Sequence, residues 1–132
     1  MGTYDVRDWL ESLNIANCCF SGRIDNTLEK ILCVFDDRMD KSNTDESFGG
    51  DEYNKIHEFK ATVLFQWDKD PENTEKAAKA FIKKLKEYRA GGFMIGDYLV
   101  NYLRVANASE DCDRNGNGLC QRIIHFDVIY SD

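Results

Sequence analysis

The stretch from Glu58 to Trp67 constrains this chain more than any other. Phe59, Ala61, Val63, Phe65 and Trp67 alternate there with Glu58, Lys60, Thr62, Leu64 and Gln66. A period of two belongs to a β-strand that turns one face into a core. Such a strand needs neighbours to hydrogen-bond with and a second layer to cover its apolar face. The remaining sequence must supply both.

Two segments carry helical periodicity. From Thr3 to Asn14, the residues Val6, Trp9, Leu10 and Leu13 stand at i, i+3, i+4 and i+7, one apolar stripe on a helix. Thr3 is the expected N-cap, with Asp5 and Asp8 near the positive end of the dipole. The second helix opens at Asp70-Pro71-Glu72, which places a capping residue, a proline at the first helical position and an acid in the first turn. Ala78, Phe81, Ile82 and Leu85 form its apolar stripe, and Gly91-Gly92 is expected to end it. On another face of the same helix stand Lys76, Lys79, Lys83 and Lys86, with Glu72 and Glu75 four residues before the first two.

The strand partners are read on both sides of this helix. The run CCFSGRIDNTLEKILCVFDD holds two β-rich pieces around Ile24-Asp25-Asn26-Thr27, and the simplest interpretation is a hairpin. Phe93 to Ala106 and Leu119 to Tyr130 carry the remaining strands. The last sets Ile124, Phe126, Val128 and Tyr130 on one face and Ile123, His125, Asp127 and Ile129 on the other. The order α-β-β-β-α-β-β, mostly hairpin-connected, predicts an α+β fold: an antiparallel or mixed β-sheet with two main helices packed on it.

With 132 residues, 42% of them hydrophobic, the chain can bury one core, and residues 1–132 are read as a single domain. Between Asp36 and Lys55 apolar residues thin out, Phe48 and Tyr53 excepted, while Asp36, Asp37, Asp40, Asp45, Glu46, Asp51 and Glu52 accumulate. That composition reads as a long flexible acidic loop, of a length that in a compact domain is usually functional or disordered.

Several function classes are disfavoured. A net charge of -7 argues against nucleic-acid binding, which needs clustered lysine and arginine. The longest apolar runs, such as Ile31 to Phe35, fall far short of the roughly 18 residues of a membrane span, so no membrane association is expected. Asp5, Arg7, Asp8 and Glu11 interrupt any apolar signal region, and synthesis in a reducing cytoplasm is the default. Cys18, Cys19, Cys33, Cys112 and Cys120 lack zinc-ligand spacing and are read as thiols, Cys112 and Cys120 being the two placed to face each other across a hairpin.

No nucleophile, base and acid pattern stands out, and Phe48-Gly49-Gly50 and Ala90-Gly91-Gly92 lack the lysine and hydroxyl of a phosphate loop. His57 and His125 stand far apart in sequence and read as structural or surface histidines. Neither an enzyme nor a cofactor is expected. The sharpest local motif is D-C-D-R-N-G-N-G-L-C-Q-R, in which Asp111, Asp113, Asn115 and Gly116 match the first, third, fifth and sixth positions of an EF-hand calcium loop. The twelfth position is Arg122, a cation where calcium needs a bidentate glutamate, and the flanks read as strands. A hairpin turn is the expectation, and a small binding module using Asp111 to Gly118 is the alternative.

The pieces Asp5-Val6 through Trp9-Leu10, Gly22-Arg23-Ile24-Asp25-Asn26 with Glu29-Lys30, Phe65-Gln66-Trp67 leading into Glu75-Lys76-Ala77-Ala78, and the closing R-I-I-H-F-D-V-I-Y resemble, in order along nearly the whole chain, a family of phage minor capsid proteins. The resemblance implies a tail-terminator-like fold and a structural role in a tailed phage or prophage virion, completing the tail at the head–tail junction. The implied partners are further copies of the chain in a ring, a hexamer in the virion, together with tail-tube and head-connector proteins. DNA would pass nearby without being specifically bound, which suits an acidic subunit because like charges repel. A head-side connector component is the alternative within the same family. Each interface of a closed ring pairs two different patches of one subunit. The expected patches are Lys76, Lys79, Lys83 and Lys86 on the helix and Asp45, Glu46, Phe48 and Tyr53 on the acidic loop.

Overall fold

The computed structural model describes residues 1–37, 56–105 and 113–131. In chain order these form α1 (Thr3–Ser12), β1 (Cys18–Ser21), β2 (Ile31–Asp36), β3 (Ile56–Gln66), α2 (Pro71–Lys86), β4 (Phe93–Ile95), β5 (Tyr98–Val105), β6 (Asp113–Arg114) and β7 (Cys120–Ser131). The fold is α+β, with one mixed sheet in the order β1-β2-β3-β7-β5-β4 and β6 attached to β7.

The alternating strands behave as their patterns predict. Phe59, Ala61, Val63 and Phe65 of β3 and Ile124, Phe126, Val128 and Tyr130 of β7 are buried on one face, and the two strands pair antiparallel from Ile56↔Ser131 to Gln66↔Gln121. Both helices cover that face. Val6, Trp9 and Leu10 of α1 and Ala78, Phe81, Ile82 and Leu85 of α2 join the same core. Trp9 stacks on Phe93 at 5.3 Å between ring centroids and meets Tyr88 edge-on at 5.4 Å, which ties α1 to β4 and to the chain leaving α2. Phe65 lies 5.7 Å from Phe81 and ties α2 to the central strand. Each such aromatic pair contributes about 0.5–1.5 kcal/mol beyond the area it buries.

Several local expectations change. The N-cap of α1 is Gly2, because Asp5 Oδ2 turns back to accept from the Gly2 amide at 2.8 Å, while the Thr3 hydroxyl lies 2.8 Å from that of Ser21 on β1. At the other end Asn14 takes a φ of 56°, the left-handed stop that asparagine tolerates. Helix α2 is capped as predicted, with Asp70 Oδ1 accepting from the Glu72 amide at 3.0 Å. It stops at Lys86, before the two glycines, and turns with Tyr88 N to Leu85 O and Gly91 N to Tyr88 O hydrogen bonds carry the chain to Gly91. Gly91 is required for closeness as well as for its φ of 77°, since an added Cβ would fall 2.0 Å from the Asn101 carbonyl oxygen.

The expected strand from Phe93 to Ala106 is two strands, β4 and β5, with Ile95 paired to Tyr98 across Gly96-Asp97. Gly96 has a φ of 59°, which suits the first central position of a two-residue hairpin turn.

The largest correction concerns β1 and β2. They are not a hairpin: they run parallel, with Cys18↔Ile31 through Ser21↔Val34 in register. Residues 22–30 carry the chain back along the face opposite the helices, a short crossover without a helix of its own. What holds it there is Gln66, fully buried at the end of β3, whose Nε2 donates to Asp25 O at 2.7 Å and to Leu28 O at 2.8 Å. The crossover shields Ile31 and Cys33, both buried outside the main core.

Candidate functional site

Helix α2 builds the basic face from its period alone. With Thr74, Ala78, Phe81, Ile82 and Leu85 turned inward, Lys76, Lys79 and Lys83 are exposed and Lys86 is half-buried on the outward side. Lys79, Lys83 and Lys86 line a shallow depression of about 280 Å³, with Ile82 as its apolar lining residue among those described. Lys76 Nζ stands 3.3 Å from Glu72 and Lys79 Nζ 3.6 Å from Glu75. These pairs are largely exposed, so each is worth only a few tenths of a kcal/mol and can be exchanged for another partner. The structure therefore brings the four predicted lysines together. The other half of the expected interface, Asp45, Glu46, Phe48 and Tyr53, lies outside the described residues, as do Asp40, Asp51 and Glu52.

Helix α1 turns a different stripe outward. Tyr4, Asp8 and Glu11 stand at i, i+4 and i+7 and are exposed, Tyr4 at 59% of its full surface. Asp8 is paired with Arg7 at 2.8 Å, and Glu11 Oε1 accepts from the Cys19 amide at 3.3 Å.

On the face of the sheet opposite the helices, Met94, Leu99 and Tyr102 are 53%, 45% and 44% exposed. Met94 and Leu99 are cross-strand partners and Tyr102 pairs with Ile129 beside them, so the three form one apolar patch at the β4–β5 end. A single strand over Phe93 to Ala106 would not group these three side chains, and the β4–β5 hairpin does. The Gly96-Asp97 dipeptide between two apolar triplets is the signal that could have revealed it. Alongside runs a row of charges. Arg104 lies 3.3 Å from Asp127 and 3.7 Å from Glu58. Burial, and then the Glu58 charge, push the Asp127 carboxyl above its ordinary value, and Arg104 opposes them in part.

The motif that resembles a calcium loop has a structural job. Asn115 Oδ1 accepts from the Asn117 amide at 2.8 Å and the Leu119 amide at 3.1 Å, and Asn115 Nδ2 donates to Asn26 O at 2.9 Å and Gln66 Oε1 at 3.1 Å. The amide oxygen that an EF-hand would turn on a metal is thus taken by backbone N–H groups. Arg114 donates to Lys69 O and Gly118 O, which places a guanidinium within the turn. Asp111 and Cys112 lie outside the described residues.

The two histidines sit on opposite faces of the sheet. His57 packs its ring 5.4 Å from that of Tyr130, and His125 Nδ1 lies 3.1 Å from the Thr62 hydroxyl. Cys18, Cys19, Cys33 and Cys120 carry free thiols. Burial is the main cause that raises Cys19 to about 12 and Cys33 to about 11, so both are protonated at neutral pH and poor nucleophiles. Among the described residues no group of three or more His, Cys, Asp or Glu is placed to hold a metal ion, and no helix is long and apolar enough to cross a membrane.

Compared with known proteins, the chain matches no protein-family model and no curated protein.

Proposed function

We propose that this protein is a structural virion protein of a tailed phage or prophage, one that completes or terminates the tail at the head–tail junction by assembling as a ring. In this reading it has a tail-terminator-like fold, it works by contact and not by catalysis, and its partners are its own copies and the tail-tube and head-connector proteins. The ordered resemblance of short motifs from Asp5 to Tyr130 supplies the family.

The structural observation that carries the reading is the apolar patch of Met94, Leu99 and Tyr102 on the sheet face opposite the helices. Exposed apolar surface of this kind marks sites of protein contact. It lies on the other side of the sheet from the lysine face of α2, so one subunit presents two chemically distinct surfaces. A component that sits between like neighbours in a ring and unlike partners above and below needs several such surfaces. The net charge of -7 fits a ring through which DNA slides without being gripped.

Light scattering on the purified protein over a wide concentration range tests the reading. A discrete ring-sized mass, present from the start or appearing as concentration rises, is the expected result. A monomer at every concentration, which also fails to bind tail tubes or head connectors, would overturn it.

A further inference from the structure

The ring reading requires one subunit to carry two different patches that fit each other. Among the described residues the two helices meet this requirement. Helix α2 concentrates the chain's cations: Lys76, Lys79, Lys83, Lys84 and Lys86 are five of the 17 lysines and arginines, in a protein of net charge -7. Copies of so acidic a chain repel one another unless a basic surface lies in the contact. Helix α1 turns outward an aromatic ring and two acids, Tyr4, Asp8 and Glu11.

We propose that the Tyr4–Asp8–Glu11 stripe of α1 in one copy docks along the Lys79–Lys83–Lys86 face of α2 in a neighbouring copy, making the head-to-tail interface of the ring. The inference rests on the ring reading and names the surfaces that build it.

Three observations support it. The first is the match in length. Tyr4 to Glu11 and Lys79 to Lys86 are each separated by seven helical steps, about 10.5 Å along a helix, so the two stripes can lie side by side over two turns. The second is chemical complementarity. The depression on α2 offers Ile82 between lysine stems, a floor suited to a tyrosine ring, with ammonium groups at its rim for the two carboxylates. The third is availability. Lys83 has no ion pair among the described residues, Lys79 is held by the exposed Glu75 at 3.6 Å, Asp8 is held by the half-buried Arg7 at 2.8 Å, and Glu11 accepts one hydrogen bond at 3.3 Å from the Cys19 amide. Trading one exposed ion pair for another costs little.

Where each subunit gives its α1 stripe to one neighbour and its α2 face to another, the interface is heterologous and generates a closed ring or a filament.

Charge reversal tests the pairing. One variant carries Lys79→Glu with Lys83→Glu, so that both stripes are acidic. A second carries Asp8→Lys with Glu11→Lys, so that both are basic. Each alone should raise the concentration needed for half-assembly by about tenfold or more, because two attractive pairs become repulsive. An equimolar mixture of the two, or all four changes in one chain, should restore assembly, since acid again meets base; recovery also shows that the variants are folded. Circular dichroism of each variant alone checks the same point.

If the wild type assembles and both variants assemble at the same concentration, the helix pairing is wrong and the ring reading survives. If either variant dissociates but neither the mixture nor the four-fold variant recovers, the pairing is also wrong. A wild type that stays monomeric and binds no tail or connector component overturns both.

Discussion

Replacing Gln66 by leucine removes the centre of a polar node while nearly keeping its volume. Gln66 is fully buried, and all its hydrogen-bonding capacity is used. Nε2 donates to Asp25 O at 2.7 Å and Leu28 O at 2.8 Å, and Oε1 accepts from Gln121 Nε2 at 2.7 Å and Asn115 Nδ2 at 3.1 Å. At a net value of about 1 kcal/mol per hydrogen bond, the four together are worth about 4 kcal/mol. Two effects reduce the loss. Leu28 is exposed and Asp25 half-buried, so water can replace part of what their carbonyls lose, and a buried leucine returns some transfer free energy. The expected destabilisation is about 2–3 kcal/mol, a substantial part of the roughly 5–15 kcal/mol of a domain this size. In urea, with a slope of about 1–3 kcal/mol per molar, the midpoint should fall by about 0.7–3 M with the slope unchanged. The loss should also be local. Amide exchange should quicken at Lys30, whose N–H is bonded to Trp67 O at 2.8 Å, and at Asn17, bonded to Lys30 O at 2.8 Å, before it quickens in β3 or β7. A change below about 0.5 kcal/mol, with exchange at Lys30 and Asn17 unaltered, would show that the crossover is held by its own turns and not by Gln66.

Two further outcomes follow from the same geometry. Gly91→Ala should destabilise far more than Gly92→Ala, although both glycines have φ near 80°: the new Cβ meets Asn101 O at 2.0 Å in the first case and nothing within 4 Å in the second, so thermal melts should show Gly92→Ala losing about 1–2 kcal/mol and Gly91→Ala several times that or failing to fold. Asp127 should titrate above its ordinary value of 3.8, since burial and Glu58 raise it; because its folded pKa lies above the unfolded one, its charged form destabilises the fold at neutral pH, and that penalty should fade as pH drops through the folded pKa. Carbon-detected NMR should then place the Asp127 midpoint lower in Glu58→Gln and higher in Arg104→Ala, and opposite movements would contradict the assignment of causes.

Features that depend on near neighbours in the chain were legible in the sequence. The alternation in β3 and β7 assigns their core faces because side-chain direction in a strand has a period of two. Asp70, Pro71 and Glu72 announce α2 because capping acts within one turn, and the lysine face follows from the helical period of Lys76, Lys79, Lys83 and Lys86. The acidic stripe on α1 was equally readable at i, i+4 and i+7, but nothing in sequence distinguishes a solvated face from one with an oppositely charged counterpart on another helix.

What the tertiary structure alone decided is how distant pieces meet. The turn-forming residues between β1 and β2 suit a hairpin as well as a crossover, and the parallel arrangement is held by Gln66, 41 residues from Asp25 and 38 from Leu28. The same node binds Asn115 to Asn26 across 89 residues, which turns a motif with the look of a metal loop into a clasp on the crossover. Local propensity sets which residues can form strands, turns and helices. Which of them become partners depends on groups far apart in sequence, and at the crossover a polar side chain is buried where each of its hydrogen bonds is made.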